Sequence, residues 1–234
     1  MNFEFSADQM QLKDIARKFL EKEDSVKRAR NVLEGEASYD EDLWSQIIEM
    51  GFTATAIPEE YGGLGLGYLE LCVIAEELGR SLAPTPFSSS VYLATEAILN
   101  FGDDSTKQAF LPALASGEKI GAFAHSESNT SPTEANIECT YSGGAISGTK
   151  IAVVDGDVAN VYIVTANNGS GVGLYLVDAS SAQVEITSQP TLDPSRSHAS
   201  LTFNKTAATE LKSDWTDVLS LLDRAAVLLS LIHI

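Results

Sequence analysis

The residue types that could support chemistry concentrate in two short segments near the middle of the chain. One is Phe123-Ala-His-Ser-Glu127, where small and apolar residues end in a polar triplet, and the other is Gly148-Thr-Lys-Ile-Ala-Val-Val-Asp-Gly156. Each could be an edge strand with polar ends. The first also ends the junction Leu111–Glu127, where helical patterns stop and strand patterns begin. Because cofactors are often held between folding units, this junction is the candidate binding region.

Other candidate groups favour structural interpretations. Glu76-Glu77 could act as an acid–base pair, but two carboxylates near the end of a helix more often form a solvated face. The glycine-rich segment Glu60–Gly67 lacks the strand before it and the Lys after it that a phosphate-binding loop needs, and it predicts a turn. No metal-ligand spacing relates the three histidines, which are His125, His198 and His233. No metal site is therefore predicted.

Helical periodicity fills the first half of the chain. Ser6 with Gln9, and Ser38 with Glu41, match the capping-box pattern and predict the starts of two helices. Pro112 lies inside a later apolar pattern and predicts a kink or a break into two short turns. Gly51 is predicted to end the helix that begins at Ser38, and Gly79 and Gly102 are predicted to end two further helices.

The second half changes to the period of strands. Turn clusters such as Ser142-Gly-Gly144 separate short apolar segments, which suggests a sandwich or barrel. The predicted strands are Ile146–Val154, Val161–Ala166, Val172–Val177, Val184–Thr187 and Ala199–Phe203. A helical pattern returns at Trp215 and stays apolar to the end of the chain, so this helix needs a partner surface.

These patterns predict an α+β multidomain fold. An N-terminal all-α helical domain covers residues 1–117, a β-barrel or sandwich domain covers 118–212, and 213–234 begin a C-terminal helical bundle.

Composition narrows the possible partners of this 234-residue chain. The formal net charge is −18, from 33 acidic and 15 basic residues, which argues against nucleic acid and against anionic membrane surfaces. No secretion signal and no membrane-spanning run is found, so a cytoplasmic location is expected. Cys72 and Cys139 are the two cysteines, too far apart in sequence for a CxxC metal motif.

In its ordered motifs the sequence resembles the acyl-CoA dehydrogenase family. The resemblance covers nearly all of the chain, and its specificity comes from the order of the motifs rather than from any one of them. The motifs are Pro58-Glu-Glu-Tyr-Gly-Gly-Leu-Gly65, Glu76-Glu-Leu-Gly-Arg80, Leu111-Pro-x-Leu-x-Ser-Gly-Glu118, Gly121-Ala-Phe-Ala-x-Ser-Glu127, Gly148-x-Lys150 and Ala159-Asn160.

The resemblance implies a flavoprotein of fatty-acid metabolism and lipid degradation. Family members bind FAD between the β domain and C-terminal helices, and they carry out α,β-dehydrogenation of acyl-CoA thioesters. Electrons would pass to an electron-transfer flavoprotein or an equivalent acceptor, and the full-length protein would be a homo- or hetero-oligomer. The residues carried over as cofactor-binding are Phe123, His125, Ser126, Ala152, Val153 and Val154. No catalytic residue is carried over.

Several positions depart from the family pattern. Pro132 stands where a Ser that contacts cofactor or substrate is expected, Ala152 replaces the aromatic residue that covers the flavin, and Val154 lacks the usual hydroxyl. These departures keep two alternatives open. One is a non-catalytic partner subunit of a heteromeric dehydrogenase, and the other is an acyl-CoA oxidase.

The end of the chain also departs from the family pattern. The family continues through a helical domain that carries the catalytic Glu in most branches, whereas this sequence ends shortly after Arg224-Ala225. The resemblance therefore implies a truncated fragment that does not turn over alone, with a non-native ending at Leu231-Ile-His-Ile234.

Overall fold

The computed structural model describes residues 5–35, 37–180 and 182–231. Seven α-helices are described, with a π-helix at Ser88–Thr95 that leads directly into the fifth. They are α1 (Ala7–Lys22), α2 (Ser25–Glu34), α3 (Glu41–Glu49), α4 (Tyr68–Arg80), α5 (Glu96–Phe101), α6 (Asp104–Ala115) and α7 (Trp215–Ser230). Three of the four residues of the suggested non-native ending, 232–234, lie outside the described residues, and His233 is one of them.

The helix starts follow the capping chemistry of the sequence, with one correction. Ser6 and Gln9 form the predicted capping box of α1. The second predicted box is wrong, because α3 is capped by Asp40, whose Oδ1 accepts the Leu43 N–H at 2.8 Å. The hydroxyl of Ser38 instead donates to Asp157, 2.6 Å away in the sheet region. A tertiary contact therefore moves the cap two residues along the chain.

Three predicted features inside helices also differ. α4 continues past Gly79 to Arg80. α6 runs through Pro112, so the predicted break into two turns is wrong, whereas the alternative of a kink stays a prediction. The pattern that ends at Gly102 is one continuous helical segment, but its first eight residues are a π-helix. π-Helical geometry has no simple periodic signature and is often found at functional sites.

Within the described ranges, eight strands form one mixed sheet in the order β6-β7-β3-β2-β4-β5-β8, with β1 paired to β4 outside this path. The strands are β1 (Gly121–Ala124), β2 (Thr140–Ser142), β3 (Ala145–Val154), β4 (Val161–Asn167), β5 (Val172–Asp178), β6 (Glu185–Gln189), β7 (His198–Ala207) and β8 (Thr209–Glu210). β1 and β2 both run parallel to β4, and the other pairs are antiparallel.

A helical region, a β-sheet region and a returning helix therefore follow one another as the sequence predicts, and the fold class is confirmed. The division into three domains at 117/118 and 212/213 stays a prediction. Helix α2 and the short strands β2 and β8 were not anticipated.

The helical and β regions pack directly against each other. Both buried apolar clusters contain residues of the helices and of the sheet. At Gly121 the approach is close, since an added Cβ would lie 2.3 Å from the Cβ of Ala94 in the π-helix. α7 buries Val218 and Leu221 in the same shared core. No helix within the described ranges is long and apolar enough to cross a membrane.

A candidate cofactor site at the end of strand β1

The two segments singled out by sequence lie side by side where β1 ends. Over Gly121–Ala124, β1 pairs in parallel with β4. The chain then turns toward β3, where the Ser126 carbonyl accepts the Ile151 N–H at 2.8 Å. Ser126 is therefore hydrogen-bonded to the residue immediately before Ala152. The segment that carries Ser126 and the segment that carries Ala152 are thus neighbours in the structure.

A buried lysine connects these strands. The side chain of Lys150 is 0% exposed, and its ammonium donates to three acceptors. They are Glu127 Oε1 at 2.6 Å, Thr165 Oγ1 at 2.8 Å and the His125 carbonyl at 3.2 Å. Because an ammonium has three donors, this arrangement satisfies all of them. The Gly148-x-Lys150 motif thus places a cation inside the sheet, directly below the chain that carries Ser126.

Glu127 completes this group on the other side of Ser126. Its carboxylate accepts the backbone N–H groups of Glu138 at 2.6 Å and Cys139 at 3.1 Å, in addition to the Lys150 ammonium. Burial opposes ionisation here, but Lys150 and the two N–H donors outweigh it and hold the pKa of Glu127 below its ordinary value. The carboxylate therefore links β1 and β3 to the chain entering β2.

His125 is enclosed by aromatic rings. Its imidazole stacks on Trp215, the first residue of α7, with ring centroids 5.8 Å apart and planes inclined by 24°. The Phe123 ring lies 5.7 Å away on its own strand. Burial and the nearby Lys150 ammonium lower the pKa of His125 to about 4, although Glu127 partly opposes the shift. The imidazole is therefore neutral at pH 7.

The six sequence-predicted cofactor residues differ in what they can offer a ligand. Ser126 is partly exposed, and its hydroxyl makes no hydrogen bond within the described part of the chain. Phe123 is 9% exposed, and the side chain of Val153 is 1% exposed within the core. Val154 is partly exposed.

Ala152 is exposed and adopts a φ of 52°, an unusual conformation for a residue with a side chain. Its N–H donates to Gln189 Oε1 at 2.8 Å, and the pairing of β3 with β7 shifts register between Lys150 and Val153. The bulge therefore turns Ala152 outward and leaves Val153 facing inward.

A second buried charge follows directly after β3. Asp155 is 0% exposed, accepts from Ser89 in the π-helix, and is paired with the Arg196 guanidinium. Arg196 also donates to Ser88 Oγ at 3.0 Å. This ion pair ties the end of β3 to the π-helix.

An apolar cavity of about 520 Å³ opens beside this ion pair. Its wall comes mainly from α2, the second half of α4 and the segment 82–87 that follows it, with smaller parts from the π-helix, α7 and the loop that carries Arg196. Side chains that line it include Ala29, Leu33, Leu78, Phe87, Tyr92 and Leu228. Its volume is within the range of small-molecule sites.

Sequence reasoning missed Thr165, Gln189 and Trp215 as neighbours of the candidate site. Thr165 lies in the continuously buried strand β4 and Trp215 begins helix α7, so neither carries a local signal of function. They reach the site only through strand pairing and the packing of α7 on the sheet. Among the described residues, no group of three His, Cys, Asp or Glu side chains could hold a metal ion.

Comparison with known proteins identifies the family. Residues 6–118 match the family model described as acyl-CoA dehydrogenase, N-terminal domain. The acyl-CoA dehydrogenase FadE27 of Mycobacterium tuberculosis is 34% identical over 157 residues, which are 67% of this chain and 42% of that protein. The chain belongs to the acyl-CoA dehydrogenase family. The resemblance inferred from the ordered motifs is thereby confirmed.

Solved structures extend the match over the rest of the chain. A variant of the Tcur3481-Tcur3483 steroid ACAD superposes with a TM-score of 0.83 at 29% identity, covering 96% of this chain and 62% of that one. The ChsE4-ChsE5 complex from Mycobacterium tuberculosis gives 0.84 at 25% identity, covering 99% and 64%. This acyl-CoA dehydrogenase chain spans less than half the length of FadE27.

Proposed function

We propose that this chain forms the N-terminal and middle parts of an FAD-dependent acyl-CoA dehydrogenase, which oxidises the α,β-bond of an acyl-CoA thioester. The observation that carries the proposal is the Ser126 hydroxyl, which has no hydrogen-bond partner among the described residues and is held at the end of β1 beside β3 in a chain of this family. Its position matches the flavin-contacting hydroxyl expected from the ordered motifs. A glutaryl-CoA dehydrogenase from Mycobacterium smegmatis with this fold was solved in complex with FADH2.

The residues at the strand ends fit a flat, partly polar ring system. Ser126 offers a hydroxyl without a partner among the described residues, and the outward-turned Ala152 and partly exposed Val154 offer small apolar surface. The Val153 side chain faces the core, so only its main chain could contribute. The neutral imidazole of His125, stacked on Trp215, would pack near the edge of the flavin ring and would contribute no charge there.

FAD would supply the oxidising chemistry, by accepting a hydride from the substrate. The chain's own residues would hold and orient it. Ser126 would donate or accept one hydrogen bond, and Phe123, His125 and Trp215 would exclude water beneath it. The neutral state of His125 avoids placing a second positive charge next to Lys150. We assign no catalytic base to this chain.

The apolar cavity is the proposed site for the acyl group. It borders the Arg196–Asp155 pair, which directly follows Val154, so it lies next to the strand end proposed for the flavin. Replacing Ala29 by Trp would fill part of the cavity and is expected to weaken binding of long or bulky acyl-CoA more than of short ones. Ala226→Trp, on an exposed position of α7 outside the cavity lining, is the matched control.

The flavin proposal is tested by titrating the protein with FAD and following flavin fluorescence. Ser126→Ala is expected to weaken binding roughly two- to tenfold, the usual value of one hydrogen bond. Ser128→Ala is the control, because Ser128 is exposed and its hydroxyl already pairs with Thr130 at 2.8 Å. Equal FAD affinity in wild type and Ser126→Ala would refute the assigned contact.

The alternative is a non-catalytic partner subunit in a heteromeric dehydrogenase. The exposed Ala152 favours it, because a methyl group covers a flavin ring far less than the aromatic residue expected there. The similarity to the ChsE4-ChsE5 complex is consistent with such an assembly.

Spectroscopy with and without a partner chain separates the two functions. Flavin that is bound by the full-length protein without a second chain, and is bleached on addition of acyl-CoA, supports the dehydrogenase. Flavin that binds only after a second acyl-CoA dehydrogenase chain is added supports the partner role. Reoxidation by an electron-transfer flavoprotein, with no peroxide formed, would identify the acceptor of the active form.

A further inference from the structure

Two of the three hydrogen bonds of the Lys150 ammonium go to the residues on either side of Ser126. One bond goes to the His125 carbonyl, before Ser126, and one to the Glu127 carboxylate, after it. The third goes to Thr165 on β4, whose hydroxyl also lies 3.3 Å from the His125 imidazole. Since no donor remains free, the ammonium has no capacity to bind a ligand directly.

Glu127 transmits this constraint to a third segment. Its carboxylate accepts the N–H groups of Glu138 and Cys139, which lead into β2, while Ser126 itself is fixed to β3 through the Ile151 N–H. The peptide units around Ser126 are therefore held from three directions. Its hydroxyl, by contrast, is left without a partner among the described residues.

Stability alone does not account for this arrangement. A buried ion pair is often no more stabilising than well-packed apolar side chains of similar volume, because both charges must lose their water. The ion pair instead fixes the geometry of the groups that it joins, because charge-assisted hydrogen bonds are short and require a definite orientation. Such a fixed geometry matters for a hydroxyl that must contact a ligand at a defined position.

We infer that Lys150 is a positioning residue for the cofactor, whose ammonium fixes the main chain on both sides of Ser126 so that the free hydroxyl is presented to the flavin. The inference rests on the proposed function, because it takes the flavin as the partner of that hydroxyl. Lys150 of the Gly148-x-Lys150 motif would therefore act through Glu127 and His125, without contacting the ligand or the substrate itself.

The test compares a single and a double variant. Lys150→Met leaves the Glu127 carboxylate without its cation, so lost folding alone could explain a defect. Lys150→Met/Glu127→Gln removes the unpaired charge and keeps an oxygen that can accept the Glu138 or Cys139 N–H. Lys119→Met is the matched control, because Lys119 forms a 3.0 Å ion pair with Asp178 away from Ser126.

Two measurements are made on each folded variant, the FAD dissociation constant and hydrogen exchange of the Ile151 amide. The double variant is expected to melt close to wild type, to bind FAD about tenfold or more weakly, and to exchange the Ile151 amide faster. Lys119→Met is expected to keep both values within about twofold of wild type. Wild-type FAD affinity in the double variant would overturn the inference and leave the proposed function standing.

Failure of the proposed function has a different signature. If wild type binds no FAD, alone or with a partner chain, the flavin assignment fails and the inference in its present form fails with it. The exchange data then decide whether Lys150 still orders the chain at Ser126. Unchanged protection of Ile151 in the double variant would exclude that ordering role as well.

Discussion

The burial of His125 makes folding sensitive to mild acid. The imidazole lies between Phe123 and Trp215, and its pKa falls to about 4 from an ordinary value of 6.5. Burial is the main cause, and the Lys150 ammonium adds to it. Because the folded state resists protonation, the unfolded chain binds more protons between these two pH values. Stability is therefore fully present above pH 6.5 and is lost as the pH falls toward 4.

The size of this loss follows from the shift. A difference of about 2.5 pKa units corresponds to about 3 kcal/mol, at 1.36 kcal/mol for each unit. His125 is partly exposed at its edge, so this figure is an upper estimate. It is still a large part of the roughly 5–15 kcal/mol that stabilises a typical domain.

Urea unfolding of wild type and His125→Phe measures this contribution. Phenylalanine keeps a ring against Trp215 but cannot take a proton, while the carboxylates that titrate in the same range are common to both proteins. The difference in unfolding free energy between them should shift by about 3 kcal/mol in favour of the variant as the pH falls from 6.5 to 4. Parallel curves for the two proteins over this range would refute a neutral, buried His125.

Two further substitutions test the contact between the sheet and the π-helix. Asp155→Asn keeps the shape of the side chain and tolerates the φ of 55°, but it removes the charge that pairs with Arg196. It should lower the free energy of unfolding by roughly 2 kcal/mol, measured by thermal unfolding. An unchanged melting temperature would contradict a structural role for this pair. Gly121→Ala would place its Cβ 2.3 Å from that of Ala94 and should cost about 1–3 kcal/mol. Gly171→Ala, which meets only an ordinary contact at 3.6 Å, should stay within about 0.5 kcal/mol of wild type, and equal costs for the two glycines would argue against the close approach.

Features that depend on local periodicity could be predicted from the sequence. Strand β3 and the capping box at Ser6 both appear where the sequence predicts them, because neighbours in the chain decide them. The cap of α3 shows the limit of this reasoning. Ser38 and Asp40 are both good caps, and the choice falls to Asp40 while Ser38 is used by a residue more than a hundred positions away.

The candidate site could be predicted only in part from the sequence, because contacts between distant residues also decide its geometry. The order of motifs indicated that Ser126 and the end of β3 matter, but not that they are hydrogen-bonded neighbours. Trp215 and Thr165 join His125 across 90 and 40 positions of sequence, through α7 and β4. The π-helix was missed because i→i+5 hydrogen bonding is rare and has no periodic signature that separates it from an α-helix in the sequence.

The charge distribution bears on how an anionic cofactor could be held. The chain has 33 acidic and 15 basic residues, and the cations nearest the candidate site are already paired with carboxylates. Lys150 is engaged by Glu127, and Arg196 by Asp155. Such internal pairs leave little local positive charge for the phosphates of FAD or CoA. It follows that this part of the protein would contribute hydroxyl, main-chain and apolar contacts to the ring end of the cofactor, and that the phosphates would depend on groups outside this strand junction.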